Sequence, residues 1–261
     1  MSEPTDAFET IAGCKVGVLR AGQGAPLLFL HGARGAGVWL PFFRTLAQRF
    51  EVIVPEHPGF GRSETPQWLD NVGDLANFYL EFIEELGLKD VHLVGSSLGG
   101  WIAADLAVRN THPLATLTLL TAFGIEIPTV ALGDVFNWTP AQAARNLFAD
   151  QALIDRMLAM RPDDDERKRQ LKNALAFERL SAQRRLSDAD LRKSLQRIDR
   201  PTLLIWGGKD KVIPRQYGAA FRDLIPGAML AIIDDCGHLP HVEKSAETAA
   251  LIAEFIGRTS R

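Results

Sequence analysis

Cysteine is nearly absent. Two in 261 residues, Cys14 and Cys236, cannot build a disulfide framework. The chain must hold itself together by burial, and at this length it removes roughly 70–75% of its unfolded surface from water. Long apolar runs are also missing; none approaches the ~20 residues of a bilayer-spanning helix. There is no basic excess, since 29 Lys and Arg face 32 Asp and Glu for a net charge of -3. That balance argues against a phosphate-backbone ligand, so no nucleic-acid partner is expected. The opening Met1-Ser2-Glu3-Pro4-Thr5-Asp6 carries neither the basic nor the apolar region of a signal peptide. A reducing cytoplasm, away from membranes, is the expected compartment. His92, His112 and His241 lack metal-ligand spacing, so neither metal nor cofactor is expected.

What the chain does have is alternation. Short apolar blocks recur at Lys15–Leu19, Pro26–Leu30, Glu51–Val54, Val91–Val94, Leu117–Leu120, Thr202–Trp206 and Leu230–Ile233. Continuous apolar runs of this length suit strands covered on both faces, as in a parallel sheet. Helical periodicity lies between them. In Asp70–Gly87, Val72, Leu75, Ala76, Phe82, Ile83 and Leu86 recur near 3.6 spacing, and Gly87 supplies a stop. Glu243–Ile256 reads as a terminal amphipathic helix. The pattern predicts a doubly wound, mostly parallel α/β sheet.

Between about Phe123 and Ile198 the strand pattern stops. Thr139-Pro140-Ala141-Gln142 reads as a capping box with proline at the first helical position. Ser187-Asp188-Ala189-Asp190 reads as another helix start, and Asp163-Asp164-Asp165-Glu166 places acids where a helix dipole favours them. About four helices are expected here. The expected organisation is a core of residues 1–123 and 199–261, with residues 124–198 inserted as a helical cap.

Gly95-Ser96-Ser97-Leu98-Gly99 matches G-x-S-x-G, follows a predicted strand and opens a predicted helix. That context marks a nucleophile elbow, which projects Ser97 above the strand ends. The Leu98 N–H then lies at a helix N-terminus, and the Ala33 N–H in His31-Gly32-Ala33-Arg34-Gly35 is the second candidate donor to an oxyanion. A serine needs a base, and the base needs an orienting acid. His238 follows the last predicted strand and Asp210 the penultimate one, both in glycine-containing loops. Ser97, Asp210 and His238 thus lie beyond the C-terminal ends of parallel strands, the edge where open α/β sheets bind ligands.

With these motifs, the turn Pro58-Gly59-Phe60-Gly61-Arg62-Ser63, and Gly237-His238-Leu239-Pro240, the chain resembles the α/β-hydrolase family over nearly its whole length. The resemblance implies Ser97 as nucleophile, His238 as base, Asp210 as acid, and Ala33 and Leu98 as oxyanion donors. Serine at the elbow separates the chain from the epoxide hydrolases and haloalkane dehalogenases of that family, which use aspartate. The meta-cleavage-product hydrolases share the serine. Many of them carry Asn before it and Trp after the histidine, where this chain has Ser96 and Leu239.

Glu126 is the alternative acid. Asp234 and Asp235 read as turn residues. His31, Glu56 and His57 read as loop-fixing residues, and Cys236 as a small packed side chain. Arg34 is a candidate contact for a substrate carboxylate; Phe123, Phe136, Trp138 and Leu239 are candidates for an apolar pocket. The expected activity is hydrolysis of a small or medium carboxylic ester through an acyl-enzyme. C–C hydrolysis and lactone hydrolysis are the alternatives, and outside catalysis a ligand receptor on the same fold.

Overall fold

Residues 3–181 and 186–259 are described by a computed structural model. The apolar blocks form one eight-stranded sheet. Its strands are β1 (Thr5–Ile11), β2 (Cys14–Ala21), β3 (Pro26–Leu30), β4 (Glu51–Pro55), β5 (Val91–Ser96), β6 (Leu114–Leu120), β7 (Thr202–Gly207) and β8 (Met229–Ile233), in the spatial order β1-β2-β4-β3-β5-β6-β7-β8. The β1/β2 and β2/β4 pairs are antiparallel; every pairing from β4 through β8 is parallel.

Both faces are covered from β4 to β7, which is why those strands read as unbroken apolar runs; the edge strand β8 is buried only at Ile233. Side chains alternate across a strand. Leu28 and Leu30 of β3 therefore join one core, and Leu27 and Phe29 the other. The first core packs under α2 (Val72–Glu85), α3 (Leu98–Arg109) and α8 (Gln216–Leu224). The second packs under α1 (Pro41–Leu46) and α10 (Ser245–Thr259). Helix α2 starts at an Asn71–Asp74 capping box, and Gly87 follows it at φ 63°.

Strand β1 carries no apolar run. Five of its seven residues are fully or partly exposed polar or small side chains, and it is joined to β2 through Ala12 and Gly13 at φ 50° and 72°. Two consecutive positive φ values are the signature of a tight hairpin turn. The C-terminal helix corrects the expected Glu243–Ile256 span. The chain instead forms α9 (Pro240–Glu243), breaks at Lys244 with φ -123° and ψ 50°, and restarts as α10.

Between β6 and β7 lie α4 (Pro140–Leu147), α5 (Gln151–Ala159), α6 (Asp164–Leu180) and α7 (Ala189–Ser194). Thr139, Asp150, Asp163 and Asp188 cap them with side-chain oxygens on backbone N–H groups. Among the described residues the only β pairing in this stretch is an isolated bridge between Gly124 and Ser187.

Candidate active site

The elbow after β5 has no room for side chains at two points. A Cβ on Gly95 would strike the Gly99 carbonyl, and a Cβ on Gly99 would strike that of Leu30. Ser97 between them adopts φ 56° and ψ -114°, a region unfavourable to L-residues. Its backbone is fixed from three sides. The Ser97 N–H donates to the Leu120 carbonyl at 2.9 Å, and its own carbonyl accepts from Trp101 at 3.1 Å and Phe123 at 3.2 Å. The hydroxyl is thereby aimed at the loop after β8.

His238 on that loop lies with Nε2 3.0 Å from Ser97 Oγ and Nδ1 2.9 Å from Asp210 Oδ2. A carboxylate only accepts, so Nδ1 carries the proton and Nε2 is free to accept from the serine. The other Asp210 oxygen accepts from the Val212 and Ile213 N–H groups at 2.8 and 2.9 Å. All three residues are buried. Glu126 is exposed, and Arg192 takes its backbone carbonyl. Asp210 therefore occupies the position facing His238 that Glu126 was the alternative for. Asp235 is held by Lys209 at the surface.

Opposite the elbow, a Cβ on Gly32 would sit 3.3 Å from Ser97 Cβ. The loop carrying Gly32 and Ala33 thus passes directly over Ser97. Two stacked imidazoles fix it. The His31 ring donates from Nδ1 to the Gly32 carbonyl at 2.7 Å and accepts at Nε2 from the His57 N–H at 2.9 Å. The His57 ring donates from Nε2 to the His31 carbonyl at 2.8 Å and accepts the Tyr79 hydroxyl at Nδ1. Burial pushes the His31 pKa down to about 4 and that of His57 well below its usual value, the latter helped by His31 itself. Both rings are neutral, as this donor pattern requires. Glu56 accepts from Arg62, so it too fastens a loop.

The inserted helices reach these loops. Buried Asn173 of α6 donates to the Arg34 carbonyl at 2.9 Å and accepts from the Gly61 N–H at 2.8 Å. The Leu147 carbonyl accepts from the His238 N–H at 2.8 Å. Phe123 packs 6.2 Å from both the His238 ring and Phe177, and Phe136 stacks on Phe177 at 5.1 Å. An aromatic wall therefore runs from the histidine into the insertion. Trp138 instead packs against Gly133 in its own segment, and Leu239 is half-buried beside His238. Arg34 is exposed; among the described residues no hydrogen bond or salt bridge holds its guanidinium, surrounding protein lowers its pKa by desolvation, and the charge of Glu166 opposes that shift.

Asn173 and Phe177 carried no signal in the sequence beyond their place on a helix. Their partners lie far away in the chain. Burial raises the Cys236 thiol to about 12 and removes it from nucleophilic chemistry at neutral pH. Among the described residues, no three His, Cys, Asp or Glu side chains are grouped to hold a metal ion, and no helix is long and apolar enough to cross a membrane.

Comparison with known proteins gives this geometry a family. The chain is 30% identical to the dihydrolipoyllysine-residue acetyltransferase component of an acetoin cleaving system from Cupriavidus necator, over 96% of this chain and 68% of that one. It is 28% identical to a 2-hydroxymuconate semialdehyde hydrolase of Pseudomonas putida, over 94% of this chain and 92% of that one. Among solved structures, a membrane phospholipase A matches with a TM-score of 0.82 and 27% identity, covering 99% of this chain and 87% of that one. A meta-cleavage product hydrolase from Pseudomonas fluorescens matches with a TM-score of 0.80 at 21% identity, over 97% of each chain, a likeness of fold. The model of the alpha/beta hydrolase fold matches residues 25–245, and with its eight-stranded sheet and serine elbow the chain belongs to that family.

Proposed function

We propose that the protein is a serine hydrolase that cleaves a small or medium carboxylic ester through an acyl-enzyme. The observation that carries the reading is the continuous relay from Asp210 through His238 to Ser97, with both imidazole nitrogens within 3.0 Å of their partners. Ser97 Oγ attacks the acyl carbon while His238 Nε2 takes its proton. Asp210 keeps the imidazole oriented and stabilises its charged form. The Ala33 and Leu98 N–H groups receive the oxyanion. His238 then protonates the leaving alcohol, and water cleaves the acyl-enzyme by the same steps. Residues 124–198 serve as the cap, with Phe123, Phe136 and Phe177 as the apolar wall for the substrate.

A second reading, C–C hydrolysis of a meta-cleavage product, is supported by relatives named 2-hydroxymuconate semialdehyde hydrolase and 2-hydroxy-6-oxo-6-phenylhexa-2,4-dienoate hydrolase. That reaction also requires a held carboxylate and polar groups along the carbon chain. Among the described residues the buried Ser96 hydroxyl has no hydrogen-bond partner, and Arg179 is engaged by Asp70 at the surface. Arg145 and Arg156 are exposed. Arg34, one residue beyond Ala33, is the group that would receive a carboxylate under this reading.

Kinetics on both substrates in one buffer decides between them. A short-chain aryl ester is expected to give kcat/KM at least about tenfold above any meta-cleavage dienoate, ~1.4 kcal/mol in transition-state binding. A faster dienoate, with the advantage lost in Arg34→Ala, establishes the second reading. A fluorophosphonate is expected to label the native chain and not Ser97→Ala; labelling that survives the substitution rejects Ser97 as nucleophile.

A further inference from the structure

The loop that carries His238 is held from two sides. On the core side, the Thr121 hydroxyl donates to the His238 carbonyl at 2.8 Å, and the Lys209 N–H donates to the Cys236 carbonyl at 2.9 Å. On the other side it meets the turn between α4 and α5. The His238 N–H donates to the Leu147 carbonyl, and Gly237 is pressed so closely on this turn that a Cβ there would lie 2.6 Å from Leu147 O and 2.9 Å from Ala149 N.

One side chain gathers this junction. The Glu243 carboxylate, at the end of α9, accepts from the Gly237 N–H at 3.1 Å, from Ala149 at 3.1 Å and from Asp150 at 3.0 Å. Two of these donors belong to the insertion and one to the residue before His238. The two insertion donors lie 94 and 93 positions from Glu243 in the chain, against 6 for Gly237. Backbone N–H groups bound to an ionised carboxylate make stronger hydrogen bonds than neutral pairs do. Glu243 makes its hydrogen bonds to neither Ser97 nor Asp210 but to the backbone on either side of the histidine loop.

We propose that Glu243 is a positioning residue: by binding the α4–α5 turn and the Gly237 N–H together, it makes the placement of His238 depend on the seating of the inserted helices. The insertion is then more than a cover. Its first turn is one wall of the socket that holds the base. Glutamine at position 243 keeps the length but offers an amide NH2 to a cluster of three donors, so it breaks the junction without emptying it.

This inference rests on His238 being the base, and the test separates the two claims. Hydrolysis of a short-chain aryl ester is measured for the native chain, His238→Ala, Glu243→Gln, Glu243→Asp and Gly237→Ala, with melting temperature recorded for each. The expected result is a fall in kcat of about ten- to a hundredfold in Glu243→Gln with KM nearly unchanged, the scale of a base displaced by a fraction of an ångström to one ångström. Fluorophosphonate labelling of Ser97 slows in parallel. Glu243→Asp recovers part of the loss because it restores a carboxylate. Gly237→Ala, which pushes the turn away without changing charge, reproduces the kcat loss. Hydrolysis that persists in His238→Ala overturns the reading of the base. If His238→Ala is inactive but Glu243→Gln keeps native kcat, or changes only KM or melting temperature, the positioning role alone is overturned. Should Glu243→Gln fail to fold, Glu243→Asp and Gly237→Ala decide the matter by the same kcat criterion.

Discussion

Ser97 holds a backbone conformation, φ 56° and ψ -114°, that an L-residue enters at a cost of about 1–3 kcal/mol. The three hydrogen bonds to its backbone and the crowded glycines around it impose that conformation. Ser97→Gly and Ser97→Ala both remove the hydroxyl, but only glycine relieves the strain. Urea denaturation is therefore expected to find Ser97→Gly more stable than Ser97→Ala by about 1 kcal/mol; equal midpoints would show that the strain is absent. Asp210 contributes differently. Its two oxygens face His238 on one side and two N–H groups on the other. Asp210→Asn presents an NH2 to one of these partners and favours the wrong imidazole tautomer. Turnover on an aryl ester is expected to fall by about two to four orders of magnitude with the fold intact by circular dichroism. A large loss in Glu126→Gln with none in Asp210→Asn would reverse the assignment.

At the scale of elements, α6 is tied to the site by one buried amide. Asn173→Ala leaves the Gly61 N–H and the Arg34 carbonyl without their partner, a loss of about 1–3 kcal/mol in unfolding free energy, read from the shift of the urea midpoint. Asn173→Asp keeps the acceptor for Gly61 but sets a buried carboxylate oxygen against the Arg34 carbonyl, so a loss at least as large is expected. A native midpoint in both variants would mean that the contact contributes nothing. These contacts also show where sequence reading stops. Ser97 and Asp210 are legible because each follows a buried strand that leaves an apolar run of recognisable length, and His238 because the edge strand β8 before it keeps such a run although it is largely uncovered. The helix starts at Thr139, Asp163 and Asp188 are legible because a cap is a local pattern. Strand β1 is not, since an edge hairpin exposed over most of its length needs no apolar run. Asn173 and Glu243 are not, because each binds backbone groups 93 to 139 positions away, and a backbone N–H has no letter in the sequence.

For the whole molecule, three neutral histidines couple stability to pH. Burial lowers the pKa of His31 to about 4, that of His241 to about 3 and that of His57 well below its usual value. His241 lies against Phe29 and Phe42, and its Nδ1 has no hydrogen-bond partner among the described residues. In the unfolded chain each ring titrates near 6.5. As pH falls below 6.5, the unfolded state takes up protons that the folded state refuses, so stability is lost. The loss contributed by His31 ends near pH 4, below which both states are charged. Between pH 6 and 5 each ring is expected to lower stability at a rate approaching ~1.4 kcal/mol per pH unit. Urea midpoints across that interval check the slope, and replacing His241 with an apolar residue of similar volume is expected to reduce it. A midpoint flat from pH 7 to 5 would show that the rings are charged in the folded protein.

The insertion between β6 and β7 also lengthens the interval over which the site comes into being. Ser97 leaves the ribosome with the first half of the sheet, whereas His238 follows it by 141 residues. At ~5–20 residues per second of translation, that gap lasts roughly seven to thirty seconds. Throughout it the nascent chain displays its elbow with no imidazole to draw the proton from the hydroxyl. Under the proposed chemistry, hydrolysis starts only when the final strand has been made, so a chain whose synthesis stops early is inert as well as incomplete.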